Sequence, residues 1–221
     1  MYDNKEIKEL RINNLKGVQV SRNIYNLIIG LTLLFGILTN IVMAKTFSTQ
    51  ILSMPYWLIL IIYFAVSIGS IFLIYNSKNP VLSFLGFTML STGFGFLITY
   101  FVSFYTKLEI YNAFLITGLV VTVMTIISTI FPQFFLKLGK ILFISLLSVI
   151  IIEIIMLLLG ISSTIIDLIV CVIFCGYIGF DWQVAQKYPP TIDNAIDSAA
   201  DIYVDIVNLF VRILSILGKK K

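Results

Sequence analysis

Runs of about twenty apolar residues recur along this chain, separated by short polar breaks, and that spacing leaves room for one kind of structure. A helix rises about 1.5 Å per residue, so ~20 apolar residues cross a hydrocarbon layer roughly 30 Å thick with every backbone group bonded internally. Seven such runs are present: Ile24 to Ala44, Pro55 to Tyr75, Val81 to Tyr105, Tyr111 to Phe131, Ile141 to Gly160, Thr164 to Phe180 and Ala199 to Leu217. The expected fold is an all-α integral membrane protein, a seven-transmembrane helical bundle forming one domain over residues 1–221 behind a polar segment, 1–23. Breaks are expected at Lys45 to Met54, Asn76 to Pro80, Thr106 to Ile110, Pro132 to Lys140, Gly160 to Ser163 and Asp181 to Ser198. The Pro189-Pro190 pair in the last break predicts a final helix starting near Asp193.

Composition narrows the chemistry. Of 221 residues, 59% are hydrophobic and 12% charged, and the mean hydropathy is +1.04. The sequence has no histidine, which removes histidine-ligated zinc or haem and the histidine-dependent triads. Cys171 and Cys175 lie four apart in an apolar run and read as packing residues rather than a redox pair. No enzymatic activity and no cofactor is expected.

The net charge of +4 does not point to nucleic acid, because the basic residues gather near the ends of the chain. Lys5, Lys8, Arg11, Lys16 and Arg22 precede the first span, whereas the early outer loops hold Lys45 and Lys107, which places the N-terminus in the cytoplasm. Lys137 and Lys140 fall on the same inner side. Seven spans then put Lys219, Lys220 and Lys221 outside, against the positive-inside rule, where they can snorkel into headgroups. No cleavable signal peptide is expected, because the first 22 residues are polar and the first apolar run is long enough to span.

The final run departs from simple hydrophobicity. Asp201, Asp205, Asn208 and Arg212 follow at spacings of four, three and four. They fall within roughly 60° of arc on a helix and form one polar stripe. Asp193 and Asp197 extend it backward. Charges at bilayer depth are costly, by about 2.5 to 3.5 kcal/mol each, so the stripe is expected to face protein. By depth, Asp181 at the end of the sixth run and Asp205 share an inner layer. Such a pair either shares one proton, as a pH sensor, relay or cation site, or consists of a helix-capping Asp181 and a separately satisfied Asp205. Arg212 lies seven residues from Asp205, ~10 Å of helical rise, so its partner is expected among Glu153 and Asp167, which share its outer layer. That buried ion pair either plugs a pathway or merely neutralises charge.

Two stretches resemble the transmembrane Bax inhibitor motif family. Phe180-Asp181-Trp182-Gln183 is similar to that family's aromatic-Asp-x-Gln, and Ala200 to Phe210 (ADIYVDIVNLF) is similar to its Leu-Tyr-Leu-Asp-x-x-Asn-Leu-Phe signature. The resemblance implies six helices in two three-helix layers around a central C-terminal helix, and a pH-sensitive calcium leak gated by a two-aspartate latch. Carried over by motif, the latch is Asp181 and Asp205, which are also the calcium ligands the resemblance implies; Asp201 and Asn208 would support the ion pathway. Bacterial relatives carry an arginine near the end of the second span, whereas this chain reads Phe72 to Lys78 as FLIYNSK, leaving Lys78 as the substitute cation. The expected partners are the lipid bilayer, calcium and protons, and the expected location is a bacterial plasma membrane. The alternative is a non-transporting membrane protein that modulates a membrane protease or stress and cell-death machinery. Intramembrane aspartyl proteolysis resembles Gly-x-Gly-Asp chemistry, but here Phe180 separates Gly179 from Asp181.

Overall fold

A computed structural model describes Arg11, residues 17–161 and residues 163–218. Lys5, Lys8, Lys16 and Lys219 to Lys221, counted above as topology charges, lie outside the described residues. Among the described residues the chain is all-helical: α1 (Arg22–Thr46), α2 (Ser48–Leu52), α3 (Tyr56–Asn76), α4 (Pro80–Val102), α5 (Lys107–Ile130), α6 (Pro132–Leu158), α7 (Thr164–Lys187) and α8 (Ile192–Leu217). Six of these, α1 and α3 to α7, are long and apolar enough to cross a membrane. The 26-residue α8 matches them in length but carries four aspartates and an arginine, and it is not among the six.

Local chemistry sets the helix ends. Ser21 caps α1 by accepting from the Ile24 amide (3.3 Å). Asn79 caps α4 by accepting from the Val81 amide (3.0 Å), with Pro80 in the first turn where its missing N–H costs nothing. At α5 the Thr106 hydroxyl accepts from the Glu109 amide, and the Glu109 carboxylate accepts from the Thr106 amide, a reciprocal capping box. Helix α6 ends in a Schellman turn: Gly160 takes φ +67°, its amide bonds the Leu157 carbonyl, and the Ile161 amide bonds that of Met156.

Four expected breaks prove to be largely helical, 45–54 among them, since α1 runs to Thr46 and α2 covers Ser48–Leu52. Helix α6 begins at Pro132, so 132–140 is its first two and a half turns. A proline at the first helical position fits without strain, so Pro132 opens a helix rather than interrupting one. The 106–110 break is mostly the capped first turn of α5. Between 181 and 198 only Tyr188 to Thr191 is non-helical, since Pro189-Pro190 is the one true breaker there. Asp181 therefore lies six residues inside α7 and does not cap it. The start of α8 at Ile192 is one residue from the expected Asp193.

The chain divides into two compact units. The first comprises residues up to Phe104 together with Lys187–Tyr203, hence α1 to α4 and the first half of α8. Within it α4 packs along both α3 and α1. Gly36 of α1 makes one close approach: a β-carbon there would stand 2.8 Å from the Tyr203 ring and 2.9 Å from that of Phe87, so only glycine fits. The Tyr203 hydroxyl accepts from the Asn40 amide nitrogen (2.5 Å), and its ring packs edge-on against Phe87 and Phe94. The second unit comprises Tyr105–Gln186 and residues from Val204 onward, hence α5, nearly all of α7, the whole of α6 and the second half of α8. Its helices leave rows of large apolar side chains outward, such as Leu119, Ile126, Phe143, Ile151 and Val172, as expected of helices whose solvent is lipid.

Candidate functional site

The acidic and basic groups of α8 fall into two clusters, one in each unit. In the first unit Asp193, Asp197 and Asp201 recur every fourth residue along one face. The Asp193 carboxylate accepts from the Ser83 hydroxyl (2.7 Å). Asp201 accepts from the Arg11 Nη1 (2.9 Å) and from the Tyr75 hydroxyl. Arg11 Nη2 donates to the Ser198 hydroxyl (2.8 Å) and the Asn194 carbonyl (3.4 Å), and Arg11 Nε lies 3.8 Å from Asp197 Oδ2. The Tyr25 hydroxyl of α1 meets Ser198 at 3.0 Å. This arginine is only 7% exposed, with its guanidinium 4.0 Å from the centre of the Tyr188 ring. Burial of Asp197, opposed by Arg11 and reinforced by Asp193 and Asp201, holds its carboxyl well above the usual aspartate range. Asp197 lies outside the membrane-length segments, after the last of the six helices and before the expected seventh run at Ala199.

Lys78, the expected substitute cation, is exposed and lines a cavity of about 30 Å³ together with Arg11, Tyr75, Asp193, Asn194 and Asp197. Arg11 itself was missed by sequence reasoning as a site residue. In a polar stretch before the first span it is indistinguishable from the lysines around it.

In the second unit Asp205 is 5% exposed. Asp181, on α7, is half-buried and lies in the same unit, one turn after Tyr177 on its helix. Asn208 turns its amide back onto its own helix, donating to the Val204 carbonyl (2.8 Å). Farther along, Arg212 bridges both expected partners at once. Its Nη1 is 2.6 Å from Glu153 Oε1 and 3.0 Å from Asp167 Oδ1, and its Nη2 donates to Glu153 Oε2 (2.8 Å). The Ser215 hydroxyl, missed in the sequence, donates to the other oxygen of Asp167 (2.9 Å). This cluster lines an open pocket of about 210 Å³. Cys171 and Cys175 are free thiols on successive turns of α7.

Among the described residues no group of three or more acidic or cysteine side chains is arranged to hold a metal ion. Asp181 and Asp205 could supply at most part of the six to eight oxygens calcium takes, the rest coming from backbone carbonyls and water.

Comparison with known proteins gives a consistent answer. The family described as "Inhibitor of apoptosis-promoting Bax1" matches residues 17–221. Bax inhibitor 1 of Schizosaccharomyces pombe is 38% identical over 89 residues, covering 38% of this chain and 32% of that protein. An uncharacterized membrane protein of Streptococcus pyogenes serotype M6 is 29% identical over 157 residues, 67% of this chain and 62% of its own. An uncharacterized protein of Helicobacter pylori is 35% identical over 86 residues, 37% of this chain and 36% of its own. The chain thus spans between about a third and three fifths of the length of these relatives. With a match running from residue 17 to residue 221 and six helices of membrane length, this chain belongs to the Bax inhibitor family of membrane proteins.

Proposed function

We propose that the protein is a pH-sensitive calcium leak, not an enzyme, in which Asp181 and Asp205 form the latch. The observation that carries this reading is a nearly fully buried carboxylate on α8, Asp205, in the same unit as a second, half-buried one on α7, Asp181. On this reading the Ala199 to Leu217 run of α8 crosses the membrane as a seventh span, the N-terminus is cytoplasmic, and the membrane is the plasma membrane of a bacterium. Two carboxylates in one low-dielectric layer titrate as a unit. At neutral pH a shared proton holds α7 and α8 together; at acid pH both groups are neutral, the bridge weakens and the helices part. Hard oxygen donors favour calcium over softer ions. Calcium entry into proteoliposomes should rise on acidification of the latch side, and Asp205→Asn and Asp181→Asn should each abolish that pH response. A response unchanged in Asp205→Asn overturns the assignment.

A second reading, a non-transporting partner of a membrane protease or of stress machinery, is favoured by the pairing of the stripe. Asp193 bonds Ser83, Asp201 bonds Arg11 and Tyr75, and Arg212 bonds Glu153 and Asp167, an arrangement that organises a bundle without conducting. Absence of calcium flux in purified vesicles, with the protein folded, selects it.

A further inference from the structure

Among the described residues, the side-chain hydrogen bonds of Arg11 all run to the start of α8. Its two terminal nitrogens reach three different groups there: the Asp201 carboxylate, the Ser198 hydroxyl and the Asn194 carbonyl. Asn194 answers by donating its side-chain nitrogen to the Arg11 carbonyl (3.2 Å) and to that of Pro189 (3.0 Å). A few residues on, the backbone repeats the attachment. Val20 donates to the Pro190 carbonyl (2.8 Å), Ile192 donates to the Val18 carbonyl (3.1 Å), and Gln19 pairs with Thr191 in an antiparallel bridge. The Ile192 amide belongs to the first turn of α8, whose N–H groups have no partner inside the helix, so the segment before α1 supplies one of its caps.

A buried guanidinium is stable only when its donors are met by matched acceptors, and a fork that meets three groups on successive turns fixes the rotation of the helix carrying them. The two neighbouring carboxylates are not equivalent. Asp201 takes a direct bond from Arg11 and another from Tyr75. Asp197 is more deeply buried and stands farther from the guanidinium. The groups facing Asp197 are Arg11 from the N-terminal segment, Tyr25 from α1, Ser83 from α4, Asp193 and Asp201 from its own helix, and Tyr75 and Lys78 at the edge of the adjoining cavity.

We propose that Arg11 is the positioning residue of the final helix: delivered by the segment before the first span, its guanidinium pins Asp201 and Ser198 and sets how readily the buried Asp197 takes up a proton. Asp201 is its anionic partner, and Asp197 is the acid that Arg11 restrains from protonation. Burial raises the tendency of Asp197 to hold a proton, and Arg11 opposes it. The assignment goes beyond the leak reading and holds with or without ion conduction, since it concerns charge in the first unit alone.

The test uses the full chain in lipid nanodiscs and two readouts. Infrared difference titration follows the protonated-carboxyl band, assigned to Asp197 by its loss in Asp197→Asn. Arg11→Gln should move its midpoint up by about one pH unit or more, the shift expected on removing a cation within ~4 to 6 Å, and Arg11→Lys should restore most of the difference. Asp201→Asn, which removes a neighbouring negative charge and leaves Arg11 to Asp197, should move the midpoint down. Hydrogen exchange should quicken several-fold at the amides of 192–203 in Arg11→Gln and stay unchanged at 164–186. A midpoint in Arg11→Gln equal to that of the parent, or exchange that quickens equally in both stretches, overturns the proposal. Should Arg11→Gln fail to fold, an Asp197 midpoint in Asp201→Asn that stays put or rises overturns it just as decisively.

Discussion

The two halves of α8 solve the same electrostatic problem with opposite assignments. In the first half the helix supplies the acids, Asp197 and Asp201, and the cation arrives from elsewhere as Arg11. In the second half the helix supplies the cation, Arg212, and the acids arrive as Glu153 from α6 and Asp167 from α7. Burial differs too: the Arg11 side chain is 7% exposed and that of Arg212 28%. A charge that keeps a quarter of its surface can fall back on solvent or headgroups when its partner is lost, whereas a buried one cannot. The first cluster is therefore structural in consequence whatever else it does, and the second is the more adjustable of the two.

That contrast can be broken by experiment. The largest effect belongs to Arg11→Gln, which leaves Asp201 and Asp197 without their buried cation and should destabilise the first unit by about 3–5 kcal/mol. Thermal unfolding in detergent measures it, and a loss below that of Arg212→Gln would erase the distinction between the halves. Next comes Asp197→Asn. Because burial raises the Asp197 carboxyl above its unfolded value, the native state binds the extra proton; the stability from that proton is complete at acid pH, below the unfolded aspartate value, and is lost as pH rises through the raised one. The parent protein should therefore weaken with rising pH by at most about 1.4 kcal/mol per unit from this group, and Asp197→Asn should remove that slope. A slope that survives the substitution assigns the proton elsewhere.

Smaller effects are expected in the second unit. Arg212→Gln should cost about 1 kcal/mol, discounted for partial exposure, and Glu153→Gln paired with it should recover part of the loss in a double-mutant cycle. Ser215→Ala removes one neutral donor to Asp167 and should cost about 0.5–1 kcal/mol, read from the same unfolding curves. A cost for Ser215→Ala exceeding that for Arg212→Gln would mean that Asp167 is held by the hydroxyl and that the ion pair is incidental.

Much of this molecule can be read from its sequence, for identifiable reasons. Six apolar runs became six membrane-length helices because nothing but helix satisfies a backbone in hydrocarbon. The partners of Arg212 follow from counting residues down each helix, since rise per residue converts position into depth. The early start of α6 was hidden because Pro132 reads as a breaker until its place in the first turn is known. Ser83 and Ser215 were hidden because a lone serine in an apolar helix is also ordinary packing. Arg11 was hidden for a different reason: its partner Asp201 lies 190 residues away, and no local pattern reports a contact of that range.

That separation sets an order of events during synthesis. Arg11, Val18 and Val20 leave the ribosome long before Pro190, Asn194 and Asp201 exist to receive them. Until α8 emerges, the Arg11 guanidinium and the backbone groups of Val18 and Val20 lack the partners they have in the folded chain. Docking of the segment before α1 against the start of α8 is thus a late step of assembly, which waits until all six membrane-length helices have been made.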